Sequence, residues 1–94
     1  MSKQTVFVVV ETSNYKGERP DPVITAFGTR EEARAYLKEL KEEDAEYGVT
    51  EYMKDELAED PTSWEVTDTE DYFYACSVGG DFWIDLSINE QEIR

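Results

Sequence analysis

The sequence contains no histidine and only one cysteine among its 94 residues. Without an imidazole, the chain lacks the usual neutral-pH general base and the usual transition-metal ligand, and Cys76 has no histidine to activate it. Glycine-rich phosphate-binding patterns are also missing, because Gly79 and Gly80 precede a β-rich run and not a helix. We therefore expect a protein that is not an enzyme and that has no cofactor and no metal site.

Long apolar runs are scarce as well. The only continuous apolar run near the N-terminus is Val6–Val10, which is too short for a membrane span or a signal-peptide core. A single cysteine cannot form an internal disulfide, which is typical of a reducing compartment. These features predict a cytoplasmic protein.

Basic residues are few, and they are unevenly placed. The net charge is -14, yet residues 1–41 carry seven Lys/Arg and six Asp/Glu, whereas residues 42–94 carry two Lys/Arg and seventeen Asp/Glu. Such asymmetry indicates a dedicated acidic surface and a partner protein with a basic surface. Because anions repel each other, we expect no direct binding to nucleic acid and none to a membrane.

The chain nevertheless has enough apolar bulk to fold. Apolar residues make up 39% of it and aromatic residues 13%, which is more than a disordered acidic tail contains. The length predicts one small acidic domain over residues 1–94.

Periodicity and turn residues divide the chain into seven predicted elements. The patterns predict strands at Thr5–Thr12 and Val23–Phe27, a helix capped by Thr29 that stops at Gly48, a helix capped by Thr50 that runs to about Glu59, and strands at Ser63–Thr67, Tyr72–Val78 and Asp81–Ile88. The unbroken valines predict an interior first strand that is buried on both faces, and residues 14–22 are predicted to form a loop. The fold class is therefore α+β: an antiparallel sheet of four or five strands, in the order ββααβββ, with one or two helices packed on one face.

Gly79-Gly80 predicts a two-residue hairpin turn, because glycine adopts the positive φ that such turns need. That turn places Cys76 opposite Trp83 and Ala75 opposite Ile84. One face of the hairpin is then apolar and belongs to the core, and it comprises Phe73, Ala75, Phe82, Ile84 and Leu86. The other face carries Tyr72, Tyr74, Cys76, Val78, Trp83 and Asp85.

The helices supply the first set of candidate binding residues. The acidic candidates are Glu42, Glu43, Glu46, Glu51, Asp55 and Glu59. Carboxylates one turn apart repel each other by about 0.2–0.5 kcal/mol per pair, a cost that a binding role explains. Their spacing resembles that of DNA phosphates, so they can present a phosphate-like array to a basic channel. The alternative is a solvated face that serves solubility.

The outer hairpin face supplies the second set, namely Tyr72, Tyr74 and Trp83 beside Asp85. Tyrosine and tryptophan are common anchors of protein interfaces. The alternative is that the loop 14–22 or Trp64 covers this face. A homodimer is a further alternative, through the same patch or through edge-to-edge pairing of the last strand.

Two weaker kinds of acidic site remain. Asp68, Glu70 and Asp71 lie in a predicted turn, where they can bind Ca²⁺ or Mg²⁺ weakly or cap backbone N–H groups. An acid–base hydrolase would require a pocket with two convergent carboxylates of raised pKa, and no such pair can be assigned from sequence.

In composition the chain is similar to small phage or mobile-element inhibitors, including anti-CRISPR proteins and DNA mimics. The resemblance implies an inhibitor that occupies the nucleic-acid-binding surface of another protein. The alternative function is an interaction or immunity-type module that uses the aromatic hairpin face.

Overall fold

The computed structural model describes residues 4–15 and 21–93. The elements are β1 (Gln4–Tyr15), β2 (Val23–Phe27), α1 (Arg30–Tyr47), α2 (Val49–Glu59), β3 (Trp64–Asp68), β4 (Tyr72–Ser77) and β5 (Phe82–Ile93). They form a five-stranded antiparallel sheet and two helices in the order ββααβββ, so the predicted α+β fold is confirmed. Neither of these helices is long and apolar enough to cross a membrane.

The sheet is built around the pairing of β1 with β5. Its strand order is β2-β1-β5-β4-β3, and the β1–β5 ladder runs without a break from Gln4↔Ile93 to Tyr15↔Phe82. β1 is therefore interior, as its valines predict. The outer strands of the sheet are β2 and β3. β5 is paired with both neighbours over residues 83–87 and with β1 alone over residues 89–93, so edge-to-edge pairing of two copies through the last strand stays a prediction that involves only this end segment.

Both central strands are longer than their sequence patterns predict. β1 continues to Tyr15, and β5 continues beyond Ile88 through a polar segment that ends at Ile93. Asn14 and Tyr15 therefore belong to a strand and not to the predicted loop, whose residues 16–20 lie outside the described residues. Pairing with the partner strand, and not an apolar pattern, holds these extensions in place.

The β4–β5 hairpin has the predicted register, with Ala75 opposite Ile84 and Cys76 opposite Trp83. The turn itself differs from the prediction. The backbone N–H of Gly80 donates to the carbonyl of Ser77 at 2.9 Å, and Gly80 has φ 75° whereas Gly79 does not have a positive φ. The turn is thus a four-residue turn over residues 77–80 with one left-handed glycine, and the two-glycine turn was wrong.

Among the described residues, the hydrophobic core lies on one face of the sheet. Its fully buried residues are Val9, Ala33, Leu37, Val49, Trp64, Phe73, Ala75, Ile84 and Leu86. Every strand residue in this set points toward α1 and α2 by the strand register. The expectation that β1 is buried on both faces is therefore wrong, since Val8 and Val10 point away from the helices and are only half-buried.

The other side of the sheet is called here the open face. Its residues are Gln4, Val6, Val8, Val10, Thr12 and Asn14 of β1, Ile24 and Ala26 of β2, Glu65 and Thr67 of β3, Tyr72, Tyr74 and Cys76 of β4, and Trp83, Asp85, Ser87, Asn89, Gln91 and Ile93 of β5. Within the described part of the chain, none of them joins the core cluster.

Helix α1 begins as its sequence predicts. The backbone N–H of Glu32 donates to Oγ1 of Thr29, and that hydroxyl donates in turn to the Glu32 carboxylate. Ala33 and Leu37 are fully buried against the sheet. The helix therefore lies with its apolar stripe on the sheet and its charged flanks in solvent.

Helix α2 begins differently from the prediction, in which Thr50 is the cap. The carboxylate of Asp44, in the last turn of α1, accepts hydrogen bonds from the backbone N–H groups of Val49 and Thr50 and from the Thr50 hydroxyl. Thr50 is buried inside the helix, so the cap comes from the preceding helix. A Cβ at Gly48 would collide with that carboxylate, which explains the glycine between the helices.

We predict that Asp44→Ala lowers the free energy of unfolding by about 1–2 kcal/mol, because α2 loses its cap. Gly48→Ala has a similar effect, because the new methyl group displaces the same carboxylate. Since both changes remove one contact, the double variant loses no more than Asp44→Ala alone. Urea denaturation at pH 7 measures all three variants.

The matched control is Asp55→Ala, at an exposed aspartate of α2, and we expect it to lose less than a quarter as much stability. Strictly additive losses from Asp44→Ala and Gly48→Ala would contradict a shared contact.

Candidate functional site

The six predicted acidic residues all lie at the surface of the two helices. Glu42, Glu43 and Glu46 occupy the last two turns of α1, and Glu51, Asp55 and Glu59 follow one another at one-turn intervals along α2. Together these six residues are called the acidic helix surface. All six are exposed, and among the described residues none has a salt bridge or a side-chain hydrogen bond.

Electrostatics within the helices oppose this arrangement. Neither α1 nor α2 has a basic residue in its last turn, and both have acidic residues there. Negative charge near a helix C-terminus is unfavourable because the carbonyl end of the macrodipole is itself negative. Repulsion between carboxylates at i and i+4 adds to that cost. The acidic helix surface therefore lowers the stability of the helices that carry it.

Helix α2 is held in place by apolar and aromatic contacts under its exposed acids. Val49 is buried, Met53 and Leu57 pack against the core, and the Tyr52 ring stacks on Phe82 at 5.3 Å. The indole N–H of Trp64 donates to the Glu56 carboxylate at 2.7 Å. Trp64 is therefore on the helix side, and the expectation that it covers the aromatic hairpin face is wrong.

The acids of the predicted cation-binding turn have protein partners instead. Asp71 accepts hydrogen bonds from Arg30 at 2.8 Å and from Nε of Arg34 at 2.6 Å. Glu70 lies 3.3 Å from Arg34, and Asp68 lies 2.7 Å from Lys41. This turn therefore ties β3 and β4 to the basic flank of α1, and none of its three acids caps a backbone N–H.

Positive and negative charges are close to balance around the 68–71 turn, but not in the segment that follows the basic flank of α1. Three bases of α1, namely Arg30, Arg34 and Lys41, pair with acids of the 68–71 turn, whereas the following segment, residues 42–59, has eight acidic residues and one lysine. That lysine, Lys54, directs its ammonium group to the carbonyl of Ala45 at 3.4 Å. The unbalanced negative charge is thus concentrated on the end of α1 and on α2.

A shallow cavity of about 220 Å³ lies between the end of α1 and the sheet. Three carboxylates line it, those of Glu11, Glu43 and Asp44. Burial raises the pKa of Glu11, the nearby charge of Glu43 raises it further, and the hydrogen bond from Tyr36 lowers it. Glu43 is exposed, however, and the carboxylate of Asp44 is used by the α2 cap. Of the three carboxylates, those of Glu11 and Glu43 are therefore left as neighbours in the cavity. Within residues 4–15 and 21–93, no group of acids or cysteine is placed to hold a metal ion.

The four aromatic-face candidates come together on the open face. Tyr72 and Tyr74 stack with their ring planes 4° apart, and the Tyr72 hydroxyl donates to the Asp85 carboxylate at 3.1 Å. Trp83 lies on the neighbouring strand, opposite Cys76. A hydrogen bond with Cys76 raises the pKa of Tyr74 to about 12. All four side chains are half-buried.

Sequence reasoning found these aromatics but missed the aliphatic residues beside them. Val6, Val8 and Val10 of β1 continue the surface toward β2, where Ile24 is 67% exposed. Residues on both faces of β1 are apolar, so the sequence shows no alternation between a core face and an open face. Which face of the sheet the helices cover depends on tertiary packing, and no local sequence pattern indicates it.

Comparison with protein-family models, with curated proteins and with solved structures finds no match to this chain. The functional argument therefore rests on geometry and charge alone.

We predict that Asp71→Asn lowers stability at pH 7 and that the difference from the wild type vanishes in acid. The hydrogen bond from Arg34 holds the pKa of Asp71 below its ordinary value of 3.8. Since the folded-state pKa is the lower one, the stabilisation is present above that ordinary value and is lost as the pH falls through the folded-state pKa. Urea denaturation at a series of pH values measures it.

Asp55→Asn makes the same chemical change at an exposed aspartate, and we expect it to leave stability at pH 7 unchanged or higher. Equal losses in the two variants would show that Asp71 has no special role.

Proposed function

We propose that this chain is a non-enzymatic binding protein, an inhibitor that occupies a basic, nucleic-acid-binding surface of another protein. The observation that supports this proposal is the contrast between its two sets of acids. Those of the 68–71 turn are neutralised by α1, whereas the acidic helix surface is exposed and unbalanced.

The spacing of the carboxylates suits such a partner. Side chains one helical turn apart have Cβ atoms about 5–6 Å apart, which is the order of separation of successive phosphates along a DNA strand. A groove lined with lysine and arginine to hold a nucleic-acid backbone can therefore hold the same array of charges. Long-range attraction accelerates such binding, and salt weakens it.

The stability cost described above also supports the proposal. Glu51, Asp55 and Glu59 repel one another, and Glu46 and Glu59 lie at the negative ends of their own helices, which is unfavourable within the isolated fold. A cationic partner removes this repulsion when it binds. Solubility alone does not require the acids to lie at those helix positions.

The aromatic candidates form a separate surface, because Tyr72, Tyr74, Trp83 and Asp85 are on the opposite side of the sheet from the helices. An interaction module that uses this face is the alternative function. The two can be tested separately, since no residue belongs to both surfaces.

We predict that Asp55→Lys stabilises the fold and weakens partner binding. The change converts two repulsive i,i+4 pairs, with Glu51 and Glu59, into attractive ones, which raises the free energy of unfolding by about 1 kcal/mol. Because the variant is more stable than the wild type, weaker binding cannot be attributed to misfolding. Urea denaturation measures the first effect, and capture from a lysate of the source organism measures the second.

The capture experiment uses the tagged chain, a salt ramp for elution and mass spectrometry for identification. We expect a nucleic-acid-binding protein that is released at moderate salt, is displaced by duplex DNA, and is lost from the Glu51→Lys, Asp55→Lys, Glu59→Lys triple variant.

Glu31→Lys is the control for net charge, because Glu31 is exposed at the opposite end of α1. Retention of the partner by the triple variant, together with its loss from Tyr74→Ala or Trp83→Ala, would refute the proposal in favour of the aromatic-face module.

A further inference from the structure

The open face carries little charge in a chain that is otherwise highly charged. Of its nineteen described residues only Glu65 and Asp85 have carboxyl groups, and the Asp85 carboxylate accepts a hydrogen bond from Tyr72. Depletion of charge together with enrichment in tyrosine and tryptophan is the composition of an interface core. The buried apolar residues of both helices belong to the core cluster on the other side of the sheet.

The size of the face is that of a complete interface. The five strands contain about 40 residues. At about 3.3 Å per residue along a strand and about 4.8 Å between strands, their footprint is about 600 Å². Two such faces packed together bury about 1,200–1,300 Å², which reaches the range of specific protein–protein interfaces.

Electrostatic repulsion between two copies of the chain disfavours some faces for their association and leaves others available. Two chains of net charge -14 repel each other strongly through their helix layers. When the open faces meet, however, both acidic helix surfaces point outward. With about 10 Å between packed sheets and a similar distance from each sheet to its helices, the two helix layers are about 30 Å apart. That distance is several times the Debye length of about 8 Å at physiological salt.

We propose that the open face is the site of a symmetric homodimer, in which two sheets pack face to face and the acidic helices form its two outer surfaces. Each protomer thereby supplies the second layer that the other sheet lacks. The proposal does not depend on the proposed inhibitor function, because it uses the opposite side of the molecule.

Sedimentation equilibrium on the full chain tests the dimer directly. As the protein concentration rises from about 1 to about 300 µM, we expect the mass to rise from the 10.9 kDa of one chain to twice that value. Added salt should strengthen the dimer, because it screens the repulsion between like-charged copies. A mass of one chain throughout this range, with and without about 0.5 M salt, overturns the proposal.

Two neighbouring residues of β2 provide a matched pair of variants. Ile24 belongs to the open face and is 67% exposed, whereas Val23 points to the helix side and is 50% exposed. Ile24→Lys places an ammonium group in the interface and should weaken the dimer at least tenfold. Val23→Lys makes the same change in net charge and should leave the dimer intact. Equal effects in the two variants overturn the face assignment.

Ser87→Lys repeats the test at the centre of the face, where a polar side chain is already present on β5. It should abolish the dimer, and its far-UV circular dichroism should match that of the wild type. If either lysine variant of the open face is unfolded, the other one decides the outcome.

The reactivity of the native Cys76 thiol shows which surface of the chain is covered in the dimer, since this thiol lies half-buried on the open face. A face-to-face dimer slows its modification by a maleimide as protein concentration rises. Pairing through the β2 edge leaves Cys76 at its monomer rate and resists Ser87→Lys, which would contradict the proposal. A chain that stays monomeric but loses a captured protein on Ser87→Lys assigns the face to that other protein instead.

Discussion

The arrangement of this molecule depends on one constraint: both helices of residues 4–15 and 21–93 cover the same face of the sheet. The β1–β5 ladder forms the middle of the sheet, and α1 buries Ala33 and Leu37 against one side of it. Because the buried apolar helix residues all lie there, the other side of the sheet keeps its half-exposed valines and aromatics. The fold therefore has two outward surfaces of opposite character, one anionic and helical, the other apolar and nearly uncharged.

Charge is sorted in the same way. Arginine and lysine on α1 neutralise the acids of the 68–71 turn, and those ion pairs connect the helix to β3 and β4. No such partner exists among the described residues for the acidic helix surface, which continues from α1 into α2. Asp44 is the exception in that segment, because its carboxylate caps α2. Acids of similar local sequence thus have different roles, which depend on the distance to a base or to a helix N-terminus.

Much of the fold was predictable because local signals and tertiary contacts agree. Thr29 and Glu32 mark the start of α1, and the alternation of Phe82, Ile84 and Leu86 sets the hairpin register. Prediction failed where long-range contacts decide, as in the polar end of β5, which pairs with β1, and in the cap of α2, which comes from Asp44. The acidic and aromatic candidates were visible as residue types, whereas the apolar surface around Ile24 depends on strand order and could not be read from the sequence.

The most direct test of the one-sided core is a solvent paramagnetic relaxation measurement on the valine and leucine methyl groups in dilute, monomeric solution. The account predicts strong broadening for Val8 and Val10 of the open face and protection for Val9 and Leu86, which are fully buried under the helices. Equal protection of Val8 and Val9 would contradict it, because a second layer would then cover the sheet within a single chain.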